Sequence, residues 1–191
     1  MLIICIDEDK EKLKTAEESI RALEEDAQIV CFSDSRYAVK CIWDHYNGET
    51  LADVRTFGNF DVFVMGEAVS FKRSKSKELL AYLIDRQGGG VTRPEAFAVL
   101  WEKGIYDRSM QKQLDVIIRS LRSTLKEHGI EGILEMRGGI MRIRTERVNC
   151  DLYNLLRGDE TAQAEYHGEY MSSYSWGNLT EAYMTRTLEK E

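Results

Sequence analysis

The residues best able to do chemistry lie within residues 108–126, RSMQKQLDVIIRSLRSTLK. Lys112, Asp115, Arg119, Arg122 and Lys126 recur there at steps of three and four, which on an α-helix gathers them on one side. A row dominated by ammonium and guanidinium groups can meet a polyanion. Leu114, Ile118, Leu121 and Leu125 recur at four, three and four on another side, the pattern of a stripe buried in a core. Together the stripes describe a helix that packs on its own domain while presenting charge outward. A solvated face with no ligand gives the same pattern, because charge runs commonly only face water.

Little else in the chain offers reactive groups. His45, His128 and His167 are scattered, and none sits in a serine or cysteine pattern that suggests nucleophilic catalysis. Cys5, Cys31, Cys41 and Cys150 form no CxxC pair and have no histidine at metal-ligand spacing. They read as free thiols in a reducing cytoplasm. Gly88, Gly89 and Gly90 follow a helix and lack the Lys-Ser/Thr of a P-loop, so they read as a helix stop and turn. Outside the acidic cluster Asp7-Glu8-Asp9, no paired carboxylates suggest catalysis. The expectation is therefore no catalytic residue, no metal, no cofactor and no enzyme activity. No apolar run approaches the roughly 20 residues of a membrane span, and the start lacks a basic signal region. A soluble, cytoplasmic protein with no membrane partner is expected.

The elements that must position the charged row follow from charge and periodicity. The net charge of −7 is unevenly spread: residues 1–53 carry 6 Lys+Arg against 13 Asp+Glu, residues 54–147 carry 17 against 12, and residues 148–191 carry 3 against 8. A basic middle between acidic ends places any polyanion contact in the middle. LIICI at residues 2–6 reads as a strand, residues 10–23 as a helix, QIVCF at residues 28–32 as a second strand and residues 36–46 as a second helix, with Tyr37, Cys41 and Trp43 as anchors. That β-α-β-α order implies parallel pairing. From Val54 the period changes to two, and VRTFGNFDVFVMGEAVSF fits three short antiparallel strands. Ser74 or Ser76 can cap a helix whose core stripe is Leu79, Leu80, Leu83 and Ile84. Pro94 opens another helix, RPEAFAVLW, with Phe97, Leu100 and Trp101 on its buried side. After the long helix, two short runs flank Gly138-Gly139, a β-hairpin. The tyrosines and tryptophan at 166, 170, 174 and 176 read as helix packing.

Three strands, three helices and a hairpin, in that order, resemble the winged-helix module of OmpR-type regulators, and more closely the DNA-binding domain of SARP-like regulators. FGNFDVFVMG, FKRSKSKELLAYLI, AVLW, LDVIIRSLRSTL and the Gly-Gly hairpin carry the resemblance, over roughly residues 54–147. CDLYNLLRGD, YHGEYMSSYSW and LTEAYM, within residues 148–191, look like the opening of the helical activation domain that follows the winged helix in SARP proteins. Residues 1–53, through the strand leading into Asp7-Glu8-Asp9 and FSDSRYAVKCIWDHYNG, resemble a shortened response-regulator receiver, as in two-component systems. A receiver takes its phosphoryl group on an aspartate after its third strand, and this segment has no third strand ending in Asp. The expected fold class is thus α+β: a winged helix with a three-stranded N-terminal sheet, three helices and a C-terminal hairpin, preceded by a small β-α-β-α segment and followed by a short helical tail.

The resemblance implies a partner and a site. The partner is double-stranded DNA, bound by a transcription regulator. Its third helix enters the major groove with Lys112, Gln113, Asp115, Val116, Arg119, Arg122 and Ser123 on the groove side. Arg119 suits guanine and Gln113 suits adenine as base-edge contacts, while Asp115 can hold Arg119 as an i,i+4 pair. Arg122 and Lys126 are expected on phosphates, Lys72, Arg73, Lys75 and Lys77 at a helix N-terminus favourable to anions, and Arg137 and Arg142 on the wing. A homodimer through the N-terminal segment and contacts with the transcription machinery fit the same class. Two other readings compete: a winged-helix docking module for proteins, and a metal-dependent phosphoacceptor built on Asp7 and Asp9.

Overall fold

A computed structural model of the chain describes residues 2–24, 27–35, 38 and 50–188. It divides into two compact units, Met1–Glu49 and Thr50–Glu191. In the first, β1 (Leu2–Ile6) and β2 (Gln28–Phe32) pair in parallel, joined by α1 (Lys10–Leu23). Leu13 is the buried residue of α1. The acids before this helix serve its start. The Asp9 carboxylate accepts hydrogen bonds from the backbone N–H of Glu11 and Lys12, and Asp7 accepts from the N–H of Asp9. Both satisfy donors that a helix start leaves without intrahelical partners. Among the described residues no group of three or more His, Cys, Asp or Glu could hold a metal ion. Of the helix expected at residues 36–46, Ala38 is the one described residue, and it is helical and buried; the rest lies outside the described residues.

The second unit opens with β3 (Ala52–Arg55), β4 (Asp61–Val64) and β5 (Glu67–Ala68), a meander in which Ala52, Val54 and Val62 turn inward. The first strand thus begins two residues before the change of period at Val54. The sheet has a fourth strand that the sequence reading did not contain. β9 (Val148–Cys150), which follows the wing, pairs in parallel with β3, giving the order β5-β4-β3-β9. Its three residues alternate buried, exposed, buried, too short a run for periodicity to register.

Three helices follow: α2 (Ser74–Asp85), α3 (Arg93–Leu100) and α4 (Arg108–Glu127). Leu79, Leu80, Leu83 and Ile84 from α2 are fully buried, and they meet Phe97 and Leu100 of α3 and Leu114, Ile118, Leu121 and Leu125 of α4 in one core. Neither Ser74 nor Ser76 caps α2. Its N-cap is Arg73 without a side-chain bond, and the Ser76 hydroxyl instead donates to the Arg73 carbonyl. A capping box, Thr92 with Glu95, starts α3, and Pro94 occupies its first turn. The wing is β7 (Leu134–Arg137) and β8 (Ile140–Ile143), joined by Gly138 and Gly139 at φ +60° and +80°. A two-residue turn with two positive φ angles suits glycine at both places. β6 (Val91–Thr92) pairs with β8, so the hairpin is two strands of a three-stranded sheet.

Residues 148–188 pack into the same core rather than forming a unit of their own. Tyr170, Met171 and Met184 are buried with the helices. The Tyr153 hydroxyl donates at 2.7 Å to the Ile84 carbonyl, which also accepts from the Gln87 N–H at the end of α2. Asp85 accepts from the hydroxyls of Tyr170 at 2.9 Å and Thr180 at 2.7 Å. Burial first, then Asp85, pushes the Tyr170 phenol up, so it remains a protonated donor. The tail's helices are α5 (Asp151–Leu156), α6 (Glu160–Glu165) and α7 (Asn178–Leu188).

Candidate nucleic-acid interface

α4 owes its orientation to its two stripes. Leu114, Ile117, Ile118, Leu121, Thr124 and Leu125 are buried along one side. Lys112, Gln113, Arg119, Arg122, Ser123 and Lys126 are exposed, and Asp115 and Val116 are half-buried. Asp107 caps the helix by accepting from the Met110 N–H at 2.8 Å. The charged side therefore faces away from the core over most of the helix length.

At its C-terminal half this side meets the wing. Arg119, Arg122, Ser123, Leu125 and Lys126 line one wall of an open groove of about 720 Å³, with Glu131, Leu134 and Met136 on the other side. Arg137 and Arg142 are exposed on the wing strands. Glu135 lies in register opposite Arg142, and Arg137 opposite Ile140. Alternation then puts Arg137 and Arg142 on the outer face, opposite the side from which Met141 and Ile143 enter the core.

Asp115 does not hold the Arg119 guanidinium through its carboxylate. The carboxylate pairs with Arg93, from the start of α3, and Arg119 Nε donates to the Asp115 backbone carbonyl at 3.3 Å. Arg93 was not among the expected site residues. A contact between two helices leaves no periodic signal in the sequence.

The four cations before and within the start of α2 separate. Arg73 is exposed. Lys72 reaches Glu127 at the end of α4, and Ser123 donates to the same carboxylate at 2.9 Å. The hydrogen bond from Lys72, then that from Ser123, holds the Glu127 carboxyl below the usual range. Lys75 donates to Glu78 and to the Leu100 carbonyl, with its ammonium 5.9 Å from the centre of the Trp101 ring. Lys77 donates to Asp61 at 2.7 Å. The structure thus joins Arg119, Arg122, Ser123 and Lys126 in one groove, brings Lys72 to the end of the same helix, and gives Lys75 and Lys77 partners inside the protein. The apolar groove residues Leu134 and Met136 were missed because in sequence they are only strand residues.

The arrangement belongs to the winged-helix-like folds, with a sheet before the helices and a wing after the charged helix. No family model matches the sequence, and no curated protein does. Among solved structures, this chain is similar to EmbR of Mycobacterium tuberculosis, determined in complex with a low affinity phosphopeptide, at a TM-score of 0.56 and 18% identity. The match covers 73% of this chain and 42% of the EmbR chain, so the chain spans less than half of EmbR's length. At that identity the likeness concerns the fold alone. No helix among the described residues is long and apolar enough to cross a membrane.

Proposed function

We propose that this chain is a sequence-specific transcription regulator that binds double-stranded DNA, with α4 in the major groove and the β7–β8 wing on the neighbouring backbone. The observation that carries the reading is the outward row on α4: Lys112, Gln113, Arg119, Arg122, Ser123 and Lys126 are all exposed while the opposite side of the helix is buried. A helix of about 10–12 Å diameter fits a major groove of about 12 Å. In this reading Arg119 and Gln113 approach base edges. Lys112, Arg122, Lys126, Arg137 and Arg142 neutralise phosphates. Arg73, and Lys72 once released from Glu127, add backbone contacts near the end of α4. Lys75 and Lys77 support the scaffold and stay off the DNA. The chain carries out no catalysis, works in the cytoplasm, pairs as a homodimer through the first unit and meets the transcription machinery through other surfaces.

A second reading is a docking module for an acidic or phosphorylated protein segment. It draws on the apolar lining of the groove, Leu125, Leu134 and Met136, of which Met136 is 41% exposed. The phosphopeptide of the EmbR complex adds little, since 58% of that chain lies outside the match.

Selection of binding sites from a random duplex pool, followed by titration of Arg119→Ala, separates the two. The DNA reading expects an enriched motif and a loss of about 1–3 kcal/mol on it, with relaxed preference at one base pair. No enriched motif, or an equal loss on every duplex, overturns the base-reading role.

A further inference from the structure

Cys5 on β1 and Cys31 on β2 are register partners in the parallel pair. Residues paired directly across two strands project to the same face of the sheet. For these two it is the face covered by α1, since Cys31 Sγ points at the Leu13 carbonyl at 3.9 Å. Adjacent strands lie about 4.8 Å apart, inside the roughly 4.4–6.8 Å between Cα atoms that a disulfide spans. Burial, then the neighbouring Cys5, raises the Cys31 thiol above its ordinary value, which slows the first attack but leaves the two sulfurs on one face of the sheet. Both are free and half-buried. An open cleft of about 280 Å³, lined by Lys10, Leu13, Lys14, Glu17, Cys31 and Ser33, connects Cys31 with solvent. Cys150 is the contrast. It is fully buried, and that burial keeps oxidants from its sulfur.

We propose that Cys5 and Cys31 form an oxidisable dithiol that closes to an intrachain disulfide on meeting a peroxide. One thiol's sulfur attacks the O–O bond and becomes a sulfenic acid, and the peroxide's other oxygen leaves as water or an alcohol. The partner sulfur then attacks the sulfenic sulfur. The S–S bond forms, and the hydroxyl departs as water with the partner's proton. Two thiols and one hydrogen peroxide thus give one disulfide and two waters, with two electrons passing from sulfur to oxygen. An isolated thiol at either position would stop at the sulfenic acid or proceed to sulfinic acid. The bond fastens the two strands to each other, and two strands alone hold together weakly.

The test treats the full chain with hydrogen peroxide, blocks remaining thiols, and maps peptides without reduction. The expected result is a mass loss of about 2 Da before blocking, reversed by dithiothreitol, with one bridged peptide pair joining Cys5 to Cys31. Dimedone, which captures sulfenic acids, should label Cys31 several-fold more in Cys5→Ser than in the unaltered chain, and Cys5 likewise in Cys31→Ser. A bridge to Cys41 or Cys150, a bridge between chains, or equal dimedone labelling with and without the partner thiol overturns the proposal. The mapping on the unaltered chain decides the matter even where a serine variant fails to fold.

Discussion

Replacing Asp151 with alanine tests whether residues after the wing are structurally part of the second unit. Its carboxylate accepts from the Thr56 N–H at 2.9 and 2.7 Å, the Thr56 hydroxyl at 2.6 Å, the Phe57 N–H at 3.0 Å and the Leu152 N–H at 2.8 Å. Thr56 is fully buried, so alanine strands its N–H and hydroxyl away from water. A hydrogen bond to a charged acceptor is worth about 1.5–3 kcal/mol, and a stranded buried group costs about 1–3 kcal/mol. Asp151 also borders an open cleft with Asp53, Asn149 and Asp159, through which water can replace part of the loss. The expected destabilisation is about 4 kcal/mol, or roughly a 10 °C fall in melting temperature for a unit of this size. Asp151→Asn keeps one acceptor oxygen and should lose about half as much. Urea denaturation of the full chain, followed by circular dichroism, reads both. A double-mutant cycle with Thr56→Val should show coupling of at least about 1 kcal/mol. A loss below about 1 kcal/mol for Asp151→Ala would refute the view that the tail is held to the first strand by this carboxylate.

Other substitutions test single contacts. Thr124 is buried in α4 with its hydroxyl unpartnered, so Thr124→Val should stabilise the chain by about 1 kcal/mol in the same denaturation assay. Asp115→Ala removes an anion from the outward side of α4 and frees Arg93; duplex titrations should then show tighter binding on all sequences and a salt slope steeper by about 1. Lys75→Ala should lower stability by about 1 kcal/mol while leaving the salt slope unchanged, because its ammonium holds the end of α3. Glu127 should titrate below an ordinary glutamate in carboxyl-detected NMR. Its link to Lys72 is complete above the ordinary value and opens as pH falls through the lowered one.

Long amphipathic elements were legible in the sequence. The stripe at Leu114, Ile118, Leu121 and Leu125 is buried as its spacing requires, and the Gly138-Gly139 pair does turn the wing. Short strands and contacts between distant residues were not. β9 is three residues long, and β6 is two. Thr56 and Asp151 are 95 residues apart, and no local pattern announces their bond. The same reason hid the fates of the lysines. Lys72, Lys75 and Lys77 look alike as a basic run, yet their partners come from α4, α3 and β4. Side-chain pairing across helices also moved Asp115 from Arg119 to Arg93.

The salt dependence of binding to a selected duplex tests the central claim most directly. Lys112, Arg122, Lys126, Arg137 and Arg142 are all exposed on α4 and the wing. If these five cations displace counterions, log Kobs should fall against log salt with a slope of about −4.5, steepening toward about −6 when Arg73 and a released Lys72 join them, and Arg122→Ala with Lys126→Ala should reduce its magnitude by about 2. A slope near zero, or one that the double variant leaves unchanged, would contradict a groove-bound α4.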